Sequence, residues 1–226
     1  MAANYGKPDF WALKAQKEGY PARSVYKLEE MDKKFGLLNR KRGFRVLDLG
    51  AAPGSWSLYV LRKLPPSPER SAGGVTGEQG AAEDREALLV SLDLIPLSRQ
   101  YDRGLFNRED FRFIRGDMTD PALREAVLAL GPYHLIISDA APATTGNRSV
   151  DSLRSLDLAE TAFSYASALA RGGSLAVKVF QGGDSAALLR RLREGFENAQ
   201  SFKPRACRRE SFETYYLGLG KKQAPL

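Results

Sequence analysis

The strongest constraint on this chain is the alternation of short apolar runs with segments whose apolar residues recur at helical spacing. Phe44 to Leu49 (FRVLDL) stops at Gly50, and Ser55 to Leu64 then carries apolar residues at helical intervals, which reads as a strand running into a helix. Further runs lie at Leu88 to Leu92, Phe111 to Ile114, His134 to Ser138 and Ser174 to Phe180. Helical patterns at Pro121 to Leu130, Leu153 to Ala170 and Ser185 to Asn198 separate them, with Asp120 before Pro121 reading as a helix N-cap. Strands apolar throughout are buried on both sides, so the order predicts an α/β fold, a mostly parallel sheet with helices on both faces. Ala199 to Phe202 and Ser211 to Leu219 break the pattern. Only a basic loop separates them, which predicts an antiparallel pair.

A chain of 226 residues, 43% hydrophobic, buries one core, so a single domain spanning 1–226 is expected. Residues 65–86, rich in Pro, Gly, Ala and charge, read as a mobile insertion between the first helix and the second strand. One cysteine, Cys207, and one histidine, His134, exclude disulfide frameworks, zinc sites and Cys/His or Ser/His relays. No metal is expected, and the chemistry falls to Lys, Asp, Glu or Tyr. His134 enters a buried strand and reads as structural. The start MAANYGKPDFW has no apolar run behind a basic head, and no stretch is long enough to span a bilayer, so a cytoplasmic, monomeric protein is expected. The net charge of +7 is unevenly placed. Lys and Arg number 11 against 5 Asp and Glu through Arg45, 17 against 20 in the middle, and 6 against 2 from Ser201 onward. The basic excess therefore lies in the two terminal segments, as a docking surface for a polyanion requires; a solvated charged face reads the same way.

The turn Asp48-Leu49-Gly50-Ala51-Ala52-Pro53-Gly54-Ser55-Trp56 joins the first strand to the first helix. Small residues let backbone approach a ligand there, and the helix start offers N–H groups. The turn is neither the dinucleotide pattern, since Ala52 stands for the second glycine, nor a Walker loop, since no Gly-Lys-Ser/Thr follows. Asp93 and Asp117 end the next two strands. With Asp48 they place carboxylates at three successive strand ends, which suits ribose hydroxyls and amines and repels phosphate, favouring S-adenosylmethionine over NAD. Lys178 interrupts the apolar strand LAVKVF, and Asp139 holds the matching place one strand earlier. Lys178 either snorkels at a sheet edge or is held at the strand end for chemistry. If the last strand is antiparallel, Glu213 begins at the same rim, where open α/β sheets bind ligands.

The segments FGLL, VLDLGAAPGSWS, SLDLIP, RGDMTD, IISDAAP, GGSLAVKVFQG and KPRACRRESFETY resemble, in order and spacing, the FtsJ/RrmJ family of 2'-O-ribose RNA methyltransferases over nearly the whole chain. The resemblance implies a class I S-adenosylmethionine-dependent methyltransferase fold (Rossmann-like): seven strands, the last antiparallel and inserted beside the fifth. It implies a Lys-Asp-Lys-Glu tetrad on Lys27, Asp139, Lys178 and Glu213, with Lys178 as general base or as a cation steering the oxygen lone pair. S-adenosylmethionine contacts fall on Gly50, Gly54, Trp56, Asp93, Asp117 and Asp139. The implied substrate is a uridine of 23S ribosomal RNA in the large subunit. A tRNA or cap 2'-O-methyltransferase would share these motifs, and a non-catalytic ribosome-assembly factor is the alternative of another class. A NAD-dependent dehydrogenase is disfavoured by the missing glycines. Ser55 stands where the family usually has a second glycine, and Cys207, beside Arg208 and Arg209, is expected to be a reactive thiol.

RNA contacts are expected from the basic segment 1–43, at Lys7, Lys14, Lys17, Arg23, Lys33 and Lys34, and from Lys203, Arg205, Arg208 and Arg209. Tyr5, Trp11, Tyr20 and Tyr26 interleave with the first group as base-stacking candidates, with core packing the expected fate of at least two.

Overall fold

The apolar runs form seven strands: β1 (Arg45–Leu49), β2 (Leu88–Asp93), β3 (Phe111–Arg115), β4 (Tyr133–Ser138), β5 (Leu169–Phe180), β6 (Phe196–Phe202) and β7 (Glu213–Lys221). In the computed structural model, which describes residues 9–38, 43–64, 87–182, 184–208 and 210–223, they join in one sheet of order β3-β2-β1-β4-β5-β7-β6. The first five strands are parallel, and β7 runs antiparallel between β5 and β6. The expected mobile insertion at 65–86 lies outside the described residues, as does 1–8 of the expected basic segment.

Among the described residues six α-helices cover the sheet: α1 (Phe10–Lys17), α2 (Val25–Phe35), α3 (Ser55–Lys63), α4 (Pro121–Ala129), α5 (Arg148–Ser164) and α6 (Ser185–Gly195). Side chains alternate faces along a strand, and the core divides accordingly. Val46, Leu89, Leu135, Ile137, Tyr215 and Leu217 pack toward α1, α2 and α3. Leu47, Leu49, Val90, Ile136, Leu175 and Val177 pack toward α4, α5 and α6. Local capping agrees: Asp9 Oδ1 accepts from the Ala12 amide, and Asp120 accepts from Ala122 and Leu123, as read for the start of α4.

Three boundaries move. The helix expected to reach Ala170 ends at Ser164, passes through a 3-10 turn at Tyr165–Ala168, and gives way to β5 at Leu169. Gly172, at φ +75, and Gly173 carry an irregularity in the β4–β5 pairing, so the strand continues through residues that looked like a loop. The helix expected to reach Asn198 stops at Gly195, because Phe196 turns into the core and Asn198 and Gln200 then pair along the edge strand. The two ends of the chain meet. Arg23 ion-pairs with Asp9 and donates to the Ala206 carbonyl, the Arg205 amide donates to Glu30 at 2.7 Å, and Lys34 sits 4.4 Å over the Phe202 ring.

Gly50, at φ +71, closes β1, and a Cβ there would lie 2.7 Å from Ala140 Cα. Gly146 has a similar φ of +83 with nothing within 4 Å. Gly50→Ala is expected to lower urea-unfolding stability by about 2 kcal/mol or more and Gly146→Ala by about 1 kcal/mol, the first adding a backbone clash to left-handed strain.

Candidate active site

Register decides which side chains meet at the carboxyl end of the parallel strands. Lys178 pairs with Tyr215 and Phe180 with Glu213 in the antiparallel β5–β7 ladder, so these four share the sheet face that α2 covers. Asp139 follows the Ser138–Val177 pair on β4 and lands opposite Lys178. From above, α2 inserts Lys27, one turn along from the Gly19–Ser24 connection. Trp56 pins that connection by donating from Nε1 to the Ser24 carbonyl at 2.8 Å, and Ser55 Oγ accepts from the Ala22 amide.

The resulting cluster is compact. Lys178 Nζ lies 3.0 Å from Asp139 Oδ1 and donates to the Asp139 carbonyl at 2.5 Å. Lys27 Nζ lies 2.7 Å from Glu213 Oε1 and 3.8 Å from Asp139 Oδ1. The Tyr215 hydroxyl donates to the same Oδ1 at 2.5 Å. Two cations and two carboxylates thus offset one another in a largely buried site. Burial alone would raise the Asp139 carboxyl; Lys178, Lys27 and the Tyr215 hydroxyl outweigh it and hold it below the usual carboxylate value. Burial would lower Lys27, but Asp139 and Glu213 dominate and keep it above its ordinary value. Tyr215, buried beside two carboxylates, is pushed well up and stays a neutral donor.

A cleft of about 500 Å³ opens onto this cluster, lined by Arg23, Ser24, Lys27, Thr144, Phe180 and Glu213 among others. The four tetrad positions read from the sequence therefore converge. Tyr215 was missed. Its signal was available, since it stands two residues after Glu213 and so shares its face.

The residues expected around a methyl donor line the neighbouring rim with differing geometry. Asp93 accepts from the Ala52 amide at 2.8 Å and the Ile95 amide at 2.9 Å, tying the end of β2 to the β1–α3 turn. Asp117 is exposed past β3 and is held below the usual carboxylate value by the Thr119 amide and hydroxyl. Gly54 opens α3 at φ +105. Two expectations need correction. Asp48 does not reach the rim as Asp93 and Asp117 do: it lies buried under α3, accepting from Ser57 at 2.7 Å, with burial pushing it up to about 7. The Trp56 indole points into the core beside Tyr215, so only its backbone at the helix start faces the turn.

Among the predicted RNA contacts, Lys17 and Arg205 are exposed. Lys14 lies 4.3 Å over the Tyr26 ring and Lys33 pairs with Glu29 at 2.7 Å. Lys203 donates to the Ser211 carbonyl at 2.5 Å, and Arg208 lines the cleft. Arg23, half-buried, ties Asp9 to the Ala206 carbonyl and also lines the cleft. Lys7, Arg209 and Tyr5 lie outside the described residues. Tyr26 is buried, Trp11 packs on it at 5.1 Å, and Tyr20 lies under Arg62, so these three aromatics serve packing. His134 is structural as read: Nδ1 accepts from the Arg45 amide at 3.0 Å. Cys207 is buried, and burial together with Glu213 pushes its thiol up, so the expected reactivity is overturned. Among the described residues no group of three or more His, Cys, Asp or Glu side chains could hold a metal ion, and no helix is long and apolar enough to cross a membrane.

The strand order, the antiparallel β7 and a carboxyl-end rim of carboxylates beside a small-residue turn define a class I methyltransferase fold. Residues 20–221 match the FtsJ-like methyltransferase family, and the chain belongs to it. The chain is 49% identical over 225 residues to the ribosomal RNA large subunit methyltransferase E of Treponema denticola, covering 98% of this chain and 100% of that one. It is 44% identical to the protein of the same name from Oleidesulfovibrio alaskensis, covering 96% and 93% of the two chains. A crystal structure from Plasmodium falciparum described as a ribosomal RNA methyltransferase shares the fold, with a TM-score of 0.65 at 22% identity over 89% of this chain and 98% of that one.

Asp139→Asn would leave both lysines with half their buried counter-charge, and a loss of about 3 kcal/mol in chemical denaturation at pH 7 is expected. Because the native Asp139 carboxyl lies below its reference value of 3.8, its contribution is complete above that pH and lost as pH falls through the lower native value. The gap between parent and variant should therefore be constant from pH 5 to 7 and shrink below about pH 4.

Proposed function

We propose that this protein transfers a methyl group from S-adenosylmethionine to a ribose 2'-hydroxyl of RNA, with a uridine of 23S ribosomal RNA in the large subunit as the substrate. The observation that carries this reading is the convergence of Lys27, Asp139, Lys178 and Glu213 in one cluster, of which Lys27 and Glu213 line a cleft of about 500 Å³. The names of the relatives support ribosomal RNA of the large subunit as the substrate class.

The residues present fit the donor. Asp93 and Asp117 offer carboxylates to ribose hydroxyls and an adenine amine, exposed Leu94 and Ile95 offer an apolar wall, and Gly50, Gly54 and the first amides of α3 allow close backbone approach. When bound, S-adenosylmethionine supplies an electrophilic methyl group on a sulfonium. The protein's task is then to align the hydroxyl oxygen and to take its proton, and alignment contributes up to roughly 7–11 kcal/mol in favourable cases. Asp139 fixes Lys178 through both its carboxylate and its carbonyl. Lys178, once its ammonium has released a proton, accepts the hydroxyl proton. Lys27 and Glu213, locked together, hold the ribose hydroxyls from the opposite side.

One observation favours a second role for Lys178: the 3.0 Å pair with Asp139 is that of an ammonium, which would steer the oxygen lone pair instead of taking the proton. Replacement by arginine separates the two, since a guanidinium keeps the cation and cannot act as a base.

With labelled donor and large-subunit particles, Lys178→Ala is expected to lower methyl transfer by about a thousandfold or more while leaving donor affinity within about threefold. Lys178→Arg is expected to be as inactive. Equal loss of donor affinity, or a parent protein that methylates no RNA ribose, would overturn the reading. Neutralising exposed Lys17 and Arg205 together should weaken RNA binding and reduce the slope of log affinity against log salt by roughly 1.5, as loss of two phosphate contacts requires; filter binding from low to moderate salt checks it.

A further inference from the structure

Of the tetrad, Lys27 and Glu213 line the cleft and leave the rest of its wall unexplained. That wall is aromatic and cationic: Phe180, Phe212, Thr144 and Arg208 line it together with Arg23. We propose that Phe212 is the platform on which the base of the methylated nucleotide stacks, turned out of the RNA into this cleft; the proposal rests on the function assigned above.

Position is the first ground. Phe212 immediately precedes Glu213, and both line the same cleft, together with Lys27. The cleft volume, about 500 Å³, falls within the range of sites that enclose a small molecule, roughly 300–1,000 Å³, which admits one extruded nucleotide and excludes a paired one.

Rigidity is the second. The Phe212 carbonyl accepts from the Gln181 amide at 2.8 Å, extending the β5–β7 ladder one step beyond the Phe180–Glu213 pair. Its ring meets buried Phe180 edge-on, centroids 4.7 Å apart at 64°. The ring is thus backed by the core and held by the sheet, while it remains half-exposed in a cleft otherwise rich in charge.

The third ground is what covers it. The Arg148 guanidinium lies 5.1 Å from the Phe212 centroid, on an exposed side chain at the first turn of α5. Buried Asp151 anchors that turn by accepting from the Thr145 amide at 2.7 Å and from Gly146. A planar cation over an aromatic ring occupies a place where a base stacks, and arginine can continue the stack or swing to a phosphate once a base arrives. Splayed RNA bases are held in this way, on an aromatic face beside arginine.

Leucine keeps the apolar contact with Phe180 and removes the stacking face, and tryptophan keeps the face. At saturating donor, Phe212→Leu is expected to lower kcat/KM for RNA roughly ten- to hundredfold, and Phe212→Trp to stay within about threefold of the parent. Donor affinity and Tm should be unchanged in both. Single-stranded pentanucleotides carrying 2-aminopurine give a reading independent of methyl transfer: the parent should quench their fluorescence and Phe212→Leu should not. A leucine variant that transfers like the parent, or an equal quench or none in both proteins, overturns the platform and leaves the methyl-transfer reading standing. Quenching by a parent that methylates no RNA does the reverse.

Discussion

The structure depends on one carboxylate oxygen. Asp139 Oδ1 receives Lys178 from β5, the Tyr215 hydroxyl from β7 and the more distant Lys27 from α2, so one atom links three elements that are far apart in sequence. Such an arrangement is tolerable in a buried place only because charge is balanced locally: desolvating an isolated lysine would cost several kcal/mol, and here two carboxylates share the task for two lysines. Glu213 completes the balance through Lys27 at 2.7 Å. The same interactions that make the cluster affordable also orient it, since none of the four side chains can turn away without exposing another's charge to a low-dielectric interior.

The sheet topology exists to bring that oxygen its partners. Parallel strands deliver Asp93 and Asp139 to one edge, but a sixth strand continuing the same way would have brought its own carboxyl end to that edge and left Glu213, at the start of its strand, on the far side. Antiparallel β7, entered from a basic loop instead of a crossover helix, reverses the polarity so that the start of the strand lies at the rim where the parallel strands end. The loop that makes this reversal also carries Arg205 and Arg208, and it is clamped to α1 and α2 through Arg23, Glu30 and Lys34. Cationic segments at opposite ends of the sequence therefore form neighbouring surface, next to the cleft lined by Lys27 and Glu213.

Much of this was legible before any coordinates. Three of the four tetrad members were recoverable because each violates its local pattern or stands where a strand meets a turn: a lysine within LAVKVF, an aspartate closing an apolar run, a glutamate opening the last strand; Lys27 was legible only through the family resemblance. Boundaries failed where local signals conflicted with tertiary pairing. Gly172 and Gly173 look like a loop, yet β5 runs through them because Tyr133 pairs with Leu169. Trp56 and Arg23 were read outward from motif and charge. Their partners, the Ser24 carbonyl for Trp56 and the Ala206 carbonyl for Arg23, lie 32 and 183 residues away, at distances no local pattern encodes. Cys207 likewise seemed activated by adjacent arginines, but its environment is Glu213 and the core.

By itself, the order of residues determined the fold class, the alternation of buried strands and helices, the antiparallel end of the sheet and three charged residues at its rim, Asp139, Lys178 and Glu213, because these follow from periodicity and from residue types that an apolar strand does not otherwise accept, with Lys27 legible only through the family resemblance. Only the tertiary structure decided how those residues bond, that Asp48 is buried and Asp93 ties the turn, that Tyr215 joins the cluster, and that Phe212 faces the cleft under Arg148. The physical reason is register: a one-residue shift of β7 against β5 would preserve every motif and turn Glu213 and Tyr215 to the opposite face, so their function is a property of pairing and not of composition.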